Sequence, residues 1–522
     1  MDTPNVKNNK RPFFQRLLDV VEIAGNKLPH PATLFVYFVL ATVVISHITY
    51  LAKVYVIQQS LDLSTGELID VTVPAVSLLT REGIAYIFTS AVSNFVGFAP
   101  LGTVLVAMLG VGVAEHFGLI SALIRKLMLG TPKSIITVMV IFVGLFSNVA
   151  SDTGYLVVIP LGAAIFYAVG RHPLAGLAAA FFGVAGGFSA NVVLSMQDIL
   201  LSSITQEAAR LVDAAIEIIP TSNYYFMFVS TFILTGLGYF ITEKIIVPRL
   251  GPYKPEGDIV DDGFSSELTA EERRGLRFAG WFFMGIIAFL LLMIVPPWAP
   301  LRNPETGSLL AGSPLMRGLV PIVMLLFITP AIGYGFGTKK INSDKDVINA
   351  MTKSMQTMGS YLVLAFFAAQ FISYFNYSNL GVILSINGAN FLQNVGFTGI
   401  PLLLSFIVLT SFLNLFMGSA AAKWAIMAPI FVPMFMQLGY DPSFTQLAYR
   451  VGDSVTNIIT PLLPYFALII VFAEKYDKKA SLGTIISLML PYSIFALLVW
   501  SLLLMVWYIT GLPIGLGGSI YM

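Results

Sequence analysis

Along this 522-residue chain, apolar runs of membrane-spanning length recur from Pro31 onward, and the charges gather in the short stretches between them. A bilayer core of roughly 30 Å needs about 20 apolar residues in helical form. The pattern predicts spans near 31–55, 100–126, 222–245, 277–296, 317–338, 350–377 and 483–511. Two further runs carry polar residues partway along. The helix that starts at Pro173 is interrupted by Gly183, Gly186 and Gly187, then by Ser189, Ala190 and Asn191, and reads as broken. The helix that starts at Pro442 runs through Arg450, Asp453, Asn457 and Pro461. Counting both, the chain is an all-α polytopic membrane protein of about nine transmembrane helices.

Two segments do not fit a simple crossing. Between Lys133 and Arg171 there is room for two spans only if both are short, and the polar run from Ser147 to Gly154 lies in the middle. Segments 398–416 and 420–437 flank a second polar tip, Gly418 to Lys423, and neither base carries Lys or Arg. Irregular backbone persists at membrane depth only when it is buried in protein or lines water. We therefore expect two re-entrant hairpins, at 133–171 and 398–438.

Charge then orients the chain. Lys7, Lys10, Arg11 and Arg16 precede the first span, whereas Asp62, Glu67 and Asp70 follow it. By the positive-inside bias the N-terminus is cytoplasmic, and the count of spans leaves the C-terminus in the periplasm of a bacterial inner membrane. Residues 1–30 show no small-residue cleavage site and are expected to be retained. The basic-sided hairpin then enters from the cytoplasm and the uncharged one from outside.

A shift of 269 positions pairs Tyr155 with Trp424, Pro160 with Pro429, Gly170 with Gly439, Pro173 with Pro442 and Gly183 with Gly452. Upstream the shift is 263, pairing Gly118 with Gly381. The two copies meet their hairpins from opposite sides, so the repeat is inverted. The expected organisation is an N-terminal segment (1–30), a first span and outer loop (31–80), repeat one (81–245), an inner loop with a two-helix insert (246–343), repeat two (344–511) and an outer tail (512–522). Inverted repeats with interrupted helices are the architecture of alternating-access carriers.

Composition excludes other classes. Hydrophobic residues make up 57% and charged residues 11%, net charge is +1, and there is no cysteine. No basic field calls for nucleic acid, and disulfides, thiolate metal sites and thiol catalysis are ruled out. No His-Glu-x-x-His pattern or nucleophile–base set supports an intramembrane hydrolase. We expect no enzyme activity, cofactor or metal site.

Ionisable residues inside a membrane are functional candidates by default. Arg450, Asp453 and Asn457 lie at spacings of three and four and share a helical face. Either Arg450 and Asp453 form a buried pair that fixes packing, or Arg450 clamps a substrate carboxylate through its planar fork while Asp453 orients it or carries a proton. Trp424 ends the second tip and either packs in the core or stacks on an aromatic substrate ring. Lys423 either neutralises that tip or reaches water. Asn148, Ser151, Asp152 and Thr153 on one tip, with Asn414 and Ser419 on the other, either cap their turns or offer ligands to an ion or a substrate amide. Asp198, beyond the break at Asn191, is either an outer-loop acid or part of the site.

The runs Pro100 to Thr103, Ser147 to Tyr155, Arg171 to Ala180 and Tyr449 to Pro461 resemble the p-aminobenzoyl-glutamate transporter (AbgT) family over nearly the whole chain. The resemblance implies nine helices and two hairpins, a homodimer with inner core and outer frame, and import of p-aminobenzoyl-glutamate or efflux of sulfonamide antimetabolites. It matches Asp198 to a functional carboxylate of the family, favours the clamp reading of Arg450 with Asp453, and points to protons as the coupling ion, with sodium the alternative; Trp424, Asn191, Asn457, Pro442 and Pro461 complete the candidate site. Relatives often carry serine where Ala421 stands and proline where Ile199 stands.

Single cysteines placed at Ser151 and Ala421 are expected to react with membrane-impermeant reagents, since hairpin tips must meet a water-filled cavity. Tips unreactive from both sides, with reactive loop controls, would reduce both segments to ordinary packed or lipid-facing helices.

Overall fold

The computed structural model describes residues 29, 31–61, 68–129, 131–150, 154–253, 268–309 and 313–522. The N-terminal segment up to residue 28, and Ser151, Asp152 and Thr153 at the first hairpin tip, lie outside the described residues.

The first span is α1 (Pro31–Leu51). Where a plain outer loop is expected, β1 (Tyr55–Leu61) pairs with β2 (Leu68–Pro74) as an antiparallel ribbon. Alternate strand residues face one side, and Val56 on that side is buried with Ala75 and Ile383. The rest of the fold is helical.

After α2 (Arg81–Val96), the expected span at 100–126 is two helices, α3 (Ala99–Phe117) and α4 (Leu119–Leu129). The stop at Phe117 comes from Gly118, whose φ of +87° is a left-handed cap that only glycine adopts freely. Hairpin one follows as α5 (Ile136–Ser147) and α6 (Ile159–Ala168). The first broken helix is α7 (Pro173–Phe181), which widens into a π turn at Phe182–Gly186 and unwinds before α8 (Met196–Ala209). Then come α9 (Tyr224–Ile241) and the insert, α10 (Ala270–Ile294) and α11 (Leu319–Gly337).

Repeat two opens with α12 (Asp344–Thr357) and α13 (Gly359–Tyr377), which meet at 49° where one span at 350–377 is expected. The bend falls where the sequence changes character: α12 carries Asp344, Lys345, Asp346 and Lys353, whereas α13 has no charge. After α14 (Leu380–Asn394), hairpin two is α15 (Gly399–Asn414) and α16 (Ala420–Gln437). The second broken helix is α17 (Pro442–Val455) and α18 (Phe466–Glu474), and α19 (Leu482–Thr510) is the last span. Among the described residues seven helices are long and apolar enough to cross a bilayer, or nine when each of two bent pairs counts as one span.

One expectation needs correction here. The helix from Pro442 does not continue through Asn457 and Pro461 but stops at Val455. Proline lacks an N–H and disfavours helical geometry in the residue before it, and Pro461 and Pro464 both fall in this stretch. Side chains take over the backbone's role, with Thr456 donating to the Ser411 carbonyl at 3.1 Å and Thr460 to the Leu415 carbonyl at 2.9 Å. The break therefore faces the first arm of hairpin two.

Each copy seats its broken helix on its hairpin through a glycine. A methyl group on Gly183 would stand 2.5 Å from the Ile141 carbonyl oxygen, and one on Gly452 would stand 2.5 Å from the Ile407 carbonyl oxygen. Gly183→Ala and Gly452→Ala are each expected to cost about 1–3 kcal/mol through overpacking against rigid backbone. Thermal unfolding in detergent would show both well below Gly102→Ala, where the new methyl meets nothing within 4 Å; equal midpoints would refute the close approach.

Candidate functional site

Helix α17 sits at the centre of the molecule with all its residues buried, although it carries Ser443, Thr445, Gln446, Arg450, Asp453 and Ser454. A buried charge is tolerable only when paired and hydrogen-bonded. The pairing differs from the one its spacing suggests. Arg450 and Asp453 do not bond to each other: Arg450 Nη1 lies 2.7 Å from Asp198 Oδ1, and Lys423 Nζ lies 2.5 Å from Asp453 Oδ1. The two charges of one helix thus reach to opposite sides, one to the first broken helix and one to hairpin two.

Asp198 is held by its own local structure. It occupies the third position of α8, where Ser195 and Asp198 cap each other reciprocally. Its Oδ2 accepts from the Ser195 N–H at 2.7 Å, the Ser195 hydroxyl at 2.8 Å and the Asn191 amide at 3.3 Å. The positive end of α8 adds a favourable field. Arg450 also donates from Nη2 to the Ser189 carbonyl at 2.9 Å, so the unwound backbone of the first break is part of the clamp. Asp198 is buried and paired with Arg450, not exposed on an outer loop.

On the other side, Asn414 at the end of α15 gathers the second break. Its amide nitrogen lies 2.6 Å from the Asp453 carbonyl oxygen, 2.9 Å from Thr456 Oγ1 and 2.8 Å from Asn457 Oδ1, while its Oδ1 accepts from Lys423 Nζ. Asn457, displaced from the helical face, donates to the Ala185 carbonyl at 3.3 Å and so touches the first broken helix as well. Lys423 is buried in this network and does not reach water.

Trp424 is fully buried. Its ring stacks on Tyr449 at 4.4 Å between centroids, and its indole N–H donates to Thr205 on α8 at 2.9 Å. Thr205 donates onward to Gln446 at 2.5 Å, and Gln446 to Asn223 at 2.8 Å. Thr205, Gln446, Tyr449 and Asn223 are site residues that the sequence does not single out. Gln446 lies four positions before Arg450 and Tyr449 four before Asp453, so the same helical spacing could have found them.

The remaining candidates divide. Ser419 caps α16 by accepting from the Ala422 N–H at 3.3 Å, and Pro442 opens α17 at a position where its missing N–H costs nothing, behind the Asp441 cap. Pro461 lies in the second unwound stretch. Asn148 and Asn191 are buried, and among the described residues neither atom of the Asn148 amide is paired, nor are Asn191 Oδ1 and Ser189 Oγ. Buried polar atoms left unpaired cost about 1–3 kcal/mol each, a cost that a bound ligand would remove. Beside them an apolar cavity of about 740 Å³ opens between Phe146 and Val149 of hairpin one, Val193 and Leu194 of the first break, and Phe283 and Phe327 of the insert.

Comparison with known proteins agrees with this architecture. Residues 16–522 match the model of the AbgT putative transporter family. The chain belongs to that family. It is 39% identical over 503 residues to the p-aminobenzoyl-glutamate transport protein of Escherichia coli (strain K12), covering 96% of each chain. Among solved structures, MtrF of Neisseria gonorrhoeae, described as illuminating a class of antimetabolite efflux pumps, superposes with a TM-score of 0.90 at 48% identity, over 97% of this chain and 100% of that one. The YdaH transporter of Alcanivorax borkumensis gives a TM-score of 0.87 at 44% identity, over 93% and 100%. As an AbgT-family protein the chain is a multi-pass bacterial membrane transporter, not an enzyme.

Breaking the central pair has a predictable cost. Arg450→Met strands Asp198 without its cation and is expected to destabilise the folded protein by about 3–5 kcal/mol. Arg450→Met combined with Asp198→Asn should recover most of that loss, as read from unfolding midpoints in detergent. A double variant no more stable than the single one would mean that the two groups are not energetically coupled.

Proposed function

We propose that this AbgT-family protein is an alternating-access carrier that moves p-aminobenzoyl-glutamate, exports sulfonamide antimetabolites, or does both, and that the proton motive force drives it. The observation that carries this reading is the ion pair between Arg450 and Asp198, which joins the two broken helices in the buried centre of the chain. A carrier needs a midplane site whose contacts can be remade from either side, and interrupted helices supply polar backbone there. An Arg fork with unwound carbonyls and free amides around it suits the carboxylates and amide of a glutamyl group. The neighbouring apolar cavity suits an aromatic ring, whereas Trp424 is already stacked on Tyr449 and does not line that cavity. The relatives' names point to the same substrate class.

In this reading Asp198 and Asp453 are the candidate proton carriers, the N-terminus is cytoplasmic, the C-terminus periplasmic, and two copies form the working unit. A second reading, a sodium-coupled importer of an anionic dicarboxylate-like substrate, draws support from the unpaired oxygens of Asn148, Ser189 and Asn191.

In sodium-free proteoliposomes an imposed pH gradient is expected to drive p-aminobenzoyl-glutamate flux, and Asp198→Asn is expected to uncouple or stop it. Flux that ignores the pH gradient and follows a sodium gradient would overturn proton coupling in favour of the second reading. Flux of neither p-aminobenzoyl-glutamate nor a sulfonamide, in either direction, would remove the substrate class.

A further inference from the structure

Among the described residues, the pair formed by Lys423 and Asp453 has no counterpart at the equivalent positions of repeat one. The 269-residue shift that superimposes the two sequences places Gly154 opposite Lys423 and Val184 opposite Asp453. Those two positions also meet: a methyl group on Gly154 would stand 3.0 Å from Val184 Cγ1. Repeat one thus builds the same contact, hairpin second arm on broken helix, from two uncharged residues, Gly154 and Val184. The fold does not require charge at this junction, and a buried ion pair is commonly no more stabilising than the apolar residues that could replace it. Its presence in one copy only calls for a role in transport.

We propose that Lys423 is the residue that reads a carboxylate on the transported molecule, and that Asp453 is an internal stand-in for that carboxylate. Protonation of Asp453 releases the ammonium, and the substrate's carboxylate takes the vacated place.

The geometry supports each half of this exchange. The ammonium has three hydrogens and three oxygens near it: Asp453 Oδ1 at 2.5 Å, Asn414 Oδ1, and the Met417 carbonyl at 3.5 Å. Two of these are neutral acceptors that hold the lysine in place, while Asp453 alone balances its charge. The Tyr449 hydroxyl lies 2.6 Å from the Ala420 carbonyl and 3.2 Å from Asp453 Oδ1. With its single hydrogen on the shorter bond, the phenol oxygen is free to accept from a protonated Asp453. The neutral acid thus has a partner waiting.

Protonation balances simply. A proton from water on the open side forms an O–H bond on Asp453, the lysine stays an ammonium throughout, and one substrate carboxylate enters with that proton. Release on the other side reverses both steps and restores the internal pair. The charged and titratable groups around Asp453 are Lys423 from α16, Tyr449 on its own helix and, one turn away, Arg450 with Asp198 from α8; α15 brings the neutral amide of Asn414. This mechanism rests on the transport reading above and divides its substrates. A molecule with a free carboxylate needs Lys423, whereas an uncharged sulfonamide does not.

The test is substrate counterflow in proteoliposomes, which needs no driving gradient, with p-aminobenzoyl-glutamate and an uncharged sulfonamide as the two probes. Lys423→Met combined with Asp453→Val writes repeat one's uncharged junction into repeat two. It should yield folded, monodisperse protein whose p-aminobenzoyl-glutamate counterflow falls by about tenfold or more, the worth of a lost charge-assisted contact, while the sulfonamide stays within about twofold. Asp453→Asn alone should flatten the pH dependence of p-aminobenzoyl-glutamate counterflow, because no carboxylate of the chain then competes for Lys423. Equal loss of both probes, loss of neither, a pH profile unchanged in Asp453→Asn, or a double variant that does not fold would each overturn the assignment. If the wild-type protein exchanges neither probe, the transport reading itself fails, which separates the two claims.

Discussion

The constraint on which the rest of this structure depends is electrostatic: α17 is buried along its whole length and carries two opposite charges one turn apart. Leaving either bare in low dielectric would cost far more than the folded state can supply. The simplest solution, pairing the two with each other, is not adopted. Each is instead neutralised by a group from a different element, Asp198 at the start of α8 and Lys423 near the start of α16. The helix is thereby locked to the first broken helix and to hairpin two at once, and it cannot move relative to either without exchanging a charge partner.

The same logic governs the breaks. Unwound backbone inside a membrane protein survives only if side chains replace the lost ladder of hydrogen bonds. In repeat two this is done by Thr456, Asn457 and Thr460 working against the first hairpin arm and Asn414. In repeat one the Ser195–Asp198 capping box and Arg450 serve the equivalent stretch, so a residue of one repeat completes the break of the other. The breaks are consequently not independent, and a rearrangement at one alters the hydrogen bonding available at the other.

Much of this was legible in the sequence. Spans, hairpins and the first break follow from hydropathy, from Gly183, Gly186 and Gly187, and from where Lys and Arg gather, because the bilayer imposes those patterns directly on the local sequence. The family was legible too, in runs such as Tyr449 to Pro461. What the sequence hid is long-range. The spacing of Arg450 and Asp453 allows either a local pair, since three apart on a helix is adjacency, or a clamp on a substrate carboxylate; their partners lie on segments brought in by the fold. For Lys423 the sequence leaves open whether it neutralises its tip or reaches water, and its burial follows only from how hairpin two closes on α17. The bend at Met358 and the stop at Gly118 were hidden for a different reason: hydropathy measures how apolar a segment is, not which way its axis points. The ribbon at β1 and β2 is short and half exposed, so it leaves little periodic signal.

A site whose charges are already paired internally places its own limit on binding. A substrate carboxylate that engages Arg450 or Lys423 must replace an existing partner, so the gain is the difference between two ion pairs rather than the full worth of one, and the net affinity stays modest. The Asn148 amide, Ser189 Oγ and Asn191 Oδ1 are different, because they are buried with no partner among the described residues and a ligand that reaches them displaces nothing. In the proposed mechanism, charge replacement decides which class of molecule is admitted, while the amides and hydroxyls beside the first break supply the surplus that holds it. A carrier benefits from that division. In the proposed mechanism, release on the far side requires only that the internal pairs re-form, and they are built into the chain at short distance, so the fold itself would supply the competitor that expels the cargo.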